Sequence, residues 1–182
     1  MKFRNMLLNT VMLFASVTGT ALAAPQNGFG LNAGLVHHNM EDQCAFCATY
    51  SSSGLSLGLD YQFAISDNFS INPFLMTSGE STSMSGINAG HGILGVQLRY
   101  WAGDMFFGGH LGGYSEVLSA SSGSFSVSSS GSGGGAGLVA GWEKPDGGLY
   151  VMGQLDSATI EYSGFADTKL SAFRLSLGYR WK

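Results

Sequence analysis

The 182-residue sequence predicts an all-β fold: an eight-stranded antiparallel up-and-down transmembrane β-barrel. Three observations predict it. Eight segments alternate apolar with small or polar residues at a period of two. The connections between them run short, long, short, long. The composition joins 28 glycines and 45% hydrophobic residues to only 11% charged ones, where an average chain has about 7% glycine and about 25% charge. Disorder is excluded by the 12% aromatic content. Collagen is excluded because glycine has no period of three and proline is scarce. A helical membrane bundle would need apolar runs of about 18 residues, and none follows the N-terminal segment.

That segment, Met1 to Ala23, has the layout of a secretory signal. Lys2 and Arg4 precede the apolar stretch Met6–Val17, and Ala21-Leu22-Ala23 is a small-x-small cleavage site. The expectation is a signal peptide over 1–23 and one barrel domain over 24–182. Removing Lys2 and Arg4 leaves 6 of 8 basic residues against 12 acidic ones, a net charge of −6. Such a chain has no basic patch for phosphates, so nucleic acid is not an expected partner.

The strands follow in order. Phe29 to His37 puts Phe29, Leu31, Ala33 and Leu35 on one face. Leu55 to Ile65 is the clearest, with Leu55, Leu57, Leu59, Tyr61, Phe63 and Ile65 opposite Ser56, Gly58, Asp60, Gln62 and Ala64. Phe69 to Thr77 carries Phe69, Ile71, Pro73 and Leu75. Ile93 to Trp101 sets Leu94, Val96, Leu98 and Tyr100 against Gly95, Gln97 and Arg99. Met105 to Ser115 is blurred by glycine. Ala136–Trp142, Leu149–Ser157 and the closing run to Trp181 complete the set. Ser66-Asp67-Asn68, Ala102-Gly103-Asp104 and Lys144 to Gly148 read as tight turns. Asn39–Ser53, Gly79–Asn88, Glu116–Gly133 and Glu161–Thr168 read as long loops, the serine-rich third one mobile and Gly131–Gly137 a flexible entry into the barrel.

Alternation alone does not say which face points inward. Eight strands enclose a space just wide enough for side chains, which suits the Gly/Ser/Ala face and not the Leu/Phe/Tyr/Trp face. Charges on the small-residue face balance: Arg99, Arg174 and Arg180 against Asp60, Glu143 and Asp156. A closed lumen would hold them as a neutral network, for which the planar fork of arginine is suited. Aromatics gather near strand ends, among them Tyr61, Phe63, Tyr100, Trp142, Tyr179 and Trp181, where an interfacial girdle would sit; Trp101, Phe106 and Tyr150 lie in the same zones. The apolar face is therefore expected to point out, into lipid. A soluble periplasmic ligand-binding barrel, with that face inward, is the competing arrangement.

The closing run Ser171-Ala172-Phe173-Arg174-Leu175-Ser176-Leu177-Gly178-Tyr179-Arg180-Trp181 resembles the last strand of small outer-membrane proteins of the OmpX/Ail and OmpA-barrel type, which end in an aromatic after a Gly-Tyr-Arg-like step. The resemblance implies the outer membrane of a Gram-negative bacterium and termini on the periplasmic side. It also implies contact with outer-membrane lipid and lipopolysaccharide, and assembly by the barrel-assembly machinery through the C-terminal strand.

Three constellations carry possible chemistry. Cys44 and Cys47 form a C-x-x-C in the first loop; an even cysteine count in an exported chain favours a local disulfide. A metal site with His37 and His38 and a redox pair are the other readings, the first weakened because adjacent strand residues face opposite sides. His91 and His110 fall on the small-residue face, with Glu116 nearby, and are the candidates for a lipid-modifying hydrolase. Small lipid A deacylases, which this chain resembles in size, use a His-x-Ser step, and none of the four histidines here has Ser two positions on. The leading expectation is a non-enzymatic barrel without cofactor, structural or acting through its surface loops.

Overall fold

Backbone pairing carries the period-two segments further than their side chains do. The computed structural model describes residues 25–42, 49–83, 86–122, 125–144, 147–162 and 167–182. Eight strands run through them: β1 Gly28–Asp42, β2 Thr49–Ser66, β3 Phe69–Thr82, β4 Ile87–Ala102, β5 Met105–Ser122, β6 Phe125–Glu143, β7 Gly148–Tyr162 and β8 Thr168–Trp181. Each pairs antiparallel with the next, and β8 closes on β1 from Phe29↔Trp181 to Asp42↔Thr168. The fold is thus a closed, all-antiparallel, eight-stranded barrel. Both ends of the described chain lie at the end of the short turns.

Those turns use the residues their geometry demands. Gly103 (φ 65°) lies between β4 and β5, and Gly147 and Gly148 (φ 82° and 104°) enter β7; left-handed backbone of this kind favours glycine. Asn68, between β2 and β3, accepts the Trp101 N–H at its carbonyl (2.8 Å) and returns a side-chain bond to the Trp101 carbonyl (3.1 Å).

The long loops of the sequence reading are corrected. β1 ends at Asp42 and β2 begins at Thr49, and β5 and β6 pair as far as Ser122↔Phe125. Glu116–Gly133 is therefore mostly paired strand: β5 stays paired with β4 as far as Ala120, the β5–β6 ladder runs on alone to Ser122↔Phe125, and Gly131–Gly137 lies inside β6, paired with β5 and β7. The reason is physical: these stretches have serine and glycine on both faces, so apolar alternation vanishes. The ladder bonds, which need no particular side chain, continue.

Glycine sets the inside of the wall. A side chain at Gly135 would meet the Tyr114 ring at 2.7 Å, and one at Gly95 the Phe74 ring at 2.8 Å. Gly141 and Gly178 likewise face Phe106 and Tyr150. Large lumen residues lie flat against a wall that has no Cβ there. Outside, large apolar residues line the middle of the wall: Leu94, Leu111 and Leu138 are 65–70% exposed.

Candidate functional site in the lumen

The inward positions of all eight strands fill the lumen, in two charged groups separated by apolar packing. Near the turn end, Arg180 joins three strands. Its Nε donates to both Glu143 oxygens (2.9 and 3.0 Å), Nη2 to Asp60 Oδ2 (2.8 Å) and Nη1 to the Gly28 carbonyl (3.2 Å). Asp60 also accepts from Tyr150 OH (3.1 Å) and Asn72 (3.3 Å), and lies 3.7 Å from Arg99. Arg99 donates to Gln97 Oε1 (2.6 and 2.9 Å), and its guanidinium caps the Phe106 ring at 4.5 Å. Further along, Arg174 meets Asp156 at 2.8 Å, which also contacts His110 Nε2 (2.8 Å), Tyr114 OH (3.1 Å) and Gln154 (2.8 Å). Asp60, Arg99, Glu143, Asp156, Arg174 and Arg180 are all buried. Burying a carboxylate or guanidinium is tolerable only when it is paired and hydrogen-bonded, and the ladder register delivers these partners from β2, β4, β6, β7 and β8.

The second group lies toward the far end and was not assembled from the sequence. Glu80 sits between two histidines, with His38 Nδ1 at 2.6 Å from Oε2 and His91 Nδ1 at 2.9 Å from Oε1. Its oxygens also accept from Ser52 Oγ and from Ser78 Oγ (2.5 Å). His91 Nε2 faces Glu116 Oε1 at 3.1 Å, and Tyr50 and Tyr162 hydroxyls also reach Glu116. The His38 and His91 rings stack, centroids 4.1 Å apart. Between the two groups, Phe74, Met76, Ile93, Tyr114, Ala158 and Ala172 pack into the interior. Sequence reading placed His91 on the inward face but read Glu80 as loop. Extending the alternation of β3 past Thr77 places Ser78 and Glu80 on that face too.

Tyr61, Phe63, Tyr100, Trp142, Tyr179 and Trp181 are exposed on the outer face toward the turn end. Several pack ring against ring at a tilt, Tyr61 with Phe63 (centroids 4.5 Å) and Tyr179 with Trp181 (5.0 Å). Trp101, Phe106 and Tyr150 share that zone but point inward, where they form an apolar layer with Val139 and Met152. Cys44 and Cys47 lie outside the described residues. His37 is on the outer face, 2.8 Å from Ser53 Oγ; among the described residues no carboxylate pairs with it.

No protein-family model matches the sequence, and no curated protein matches it. Solved structures do match in shape. The chain is similar to Ail, the attachment invasion locus protein of Yersinia pestis (TM-score 0.65, 13% identity, covering 86% of this chain and 100% of that one). It is also similar to Neisserial surface protein A (0.64, 9%, 84% and 97%) and to the N-terminal β-barrel domain of Pseudomonas aeruginosa OprF (0.50, 8%, 86% and 100%). At these identities the likeness is one of fold. The chain has the architecture of the small eight-stranded outer-membrane barrels.

Proposed function

We propose that this chain is a non-enzymatic barrel of a Gram-negative outer membrane, exported by cleavage of residues 1–23, with a structural or surface-interaction role. The observation that carries this reading is the apolar outer face around a filled lumen. Along β8 the outward residues Phe173, Leu175, Leu177, Tyr179 and Trp181 are all exposed. Nine residues extend roughly 27 Å along a strand, or roughly 20 Å along the axis at about 40° of tilt. That approaches the apolar band of about 25 Å typical of such barrels, and the exposed aromatics fall at its turn-side edge. In water the same surface would be an aggregation hazard.

The packed interior argues against a wide pore. His91 and His110, the hydrolase candidates, are tied to carboxylates within that plug, and neither hydrogen-bonds a serine among the described residues. A soluble ligand-binding barrel would need an apolar cavity inside, which is where the charges are. Lipid and lipopolysaccharide are the partners of the outer face, and the barrel-assembly machinery that of β8.

A surface role would fall to the strand ends away from the turns, where the β5–β6 extension projects. One Ail structure similar to this barrel (TM-score 0.55, 16% identity, 86% of this chain and 100% of that one) is a complex with the heparin analogue sucrose octasulfate. The far end of this chain is acidic. Lys169 is its single basic residue, against Glu41, Asp42, Glu161 and Asp167, so a neutral or cationic partner suits it better than a polyanion. Fractionation tests the reading: the protein should cofractionate with the outer membrane and migrate differently on gels before and after boiling. Release as a soluble protein by osmotic shock would overturn it.

A further inference from the structure

We propose that His38, Glu80 and His91 form a binding site for one divalent transition-metal ion of the zinc class, inside the barrel toward the end away from the short turns. The three residues come from β1, β3 and β4, and their donor atoms lie within 4.8 Å of one another. Two imidazoles and one carboxylate are a donor set that zinc and its neighbours in the first transition row accept. Bonds of about 2.0–2.1 Å in a tetrahedron set ligand atoms roughly 3.3 Å apart. His38 Nδ1 lies 2.6 Å from Glu80 Oε2 and His91 Nδ1 lies 2.9 Å from Glu80 Oε1, so these contacts need to open by roughly 0.7 and 0.4 Å.

Two further features belong to a metal site. The first is the support behind a ligand. With Nδ1 of His91 toward the ion, Nε2–H points at Glu116 Oε1, 3.1 Å away. That is the carboxylate–histidine–metal relay which fixes the ring and raises its basicity. Tyr50 and Tyr162 in turn donate to Glu116.

The second is charge. The Glu80 and Glu116 side chains are fully buried, and among the described residues neither has an arginine or lysine partner, unlike Asp60, Glu143 and Asp156. Balancing both carboxylates with two imidazolium rings would stack like charges 4.1 Å apart, an unfavourable arrangement away from water. One divalent ion supplies the same charge at the donors themselves. Met40, Tyr50 and Leu118, one inward position farther out on β1, β2 and β5, give the site an apolar cover.

The test uses the full mature chain in detergent micelles, stripped of metal and titrated with zinc. Wild type should take up one equivalent, and its unfolding equilibrium constant should fall about 100-fold at zinc concentrations 100 times Kd. E80Q should abolish uptake, and E116Q should weaken it roughly 10–100-fold. C44S/C47S should bind like wild type. Gel mobility before and after boiling checks that each variant folds. X-ray absorption on zinc-loaded wild type needs no variant and should show two imidazoles and no sulfur. Absence of stoichiometric uptake, sulfur in the coordination shell, or unchanged binding by folded E80Q would each overturn the proposal.

Discussion

Replacing Arg180 with methionine tests the logic of the lumen charges. Arg180 makes four hydrogen bonds of 2.8–3.2 Å to Glu143, Asp60 and Gly28. The loss is uneven. Asp60 keeps Tyr150, Asn72 and Arg99, whereas Glu143 has no other ion pair within 4 Å among the described residues and feels Arg99 only at longer range. Removing one member of a buried pair and stranding the other costs about 3–5 kcal/mol. R180M should therefore destabilise the barrel by about that amount, while R180M/E143Q, which strands no charge, should lose only about 1–2 kcal/mol. Adding E143Q to R180M should thus recover about 2 kcal/mol. R180K, which keeps the charge but not the fork, should fall between wild type and R180M. Reversible urea unfolding in phospholipid vesicles, followed by tryptophan fluorescence, reads all four proteins. If R180M costs less than about 1 kcal/mol, or the double variant is no more stable than the single, the pair does not hold the lumen as argued.

Other expectations follow from the same wall. Gly135→Ala should cost about 1–3 kcal/mol by crowding Tyr114 and Ala158. Gly134→Ala, with nothing within 4 Å of its new methyl group, should be near neutral, and equal effects would deny that glycine 135 makes room for the lumen. Leu175→Arg, on the outer face of β8, should destabilise the barrel in vesicles by about 2–4 kcal/mol; a neutral result would argue against burial of that face in lipid. Amides of Val117 to Ser119 should exchange with deuterium far more slowly than free chain, because β5 pairs there with both β4 and β6. Exchange at free-chain rates would contradict the pairing of β5 this far from the turns. For the proposed Cys44–Cys47 disulfide, non-reduced protein should show no free thiol, and two titratable thiols would contradict it.

Strand identity was legible wherever one face is apolar and the other small, as in β2 from Leu55 to Phe63 and β8 from Ala172 to Trp181. A side chain on a strand must point one way or the other, so a period of two reports its face without further context. The direction of the barrel was legible from volume, since a narrow lumen admits the glycine face only. Strand length was not. Asn39 to Asp42, Ser51 to Ser53 and Ser126 to Ser130 have polar residues on both sides, and their order comes from ladder pairing with neighbouring strands.

The sites divide along the same line. By itself the sequence puts three arginines and three carboxylates on the small-residue face by parity, and the narrow lumen of eight strands turns that face inward. Only the tertiary structure decided which partners meet: that Arg180 bridges Asp60 and Glu143, and that His38, Glu80, His91 and Glu116 converge from β1, β3, β4 and β5. Parity places a side chain inside or outside. Its neighbours across the lumen depend on register, on the stagger of eight strands and on closure of β8 against β1, all set by long-range pairing rather than by local alternation.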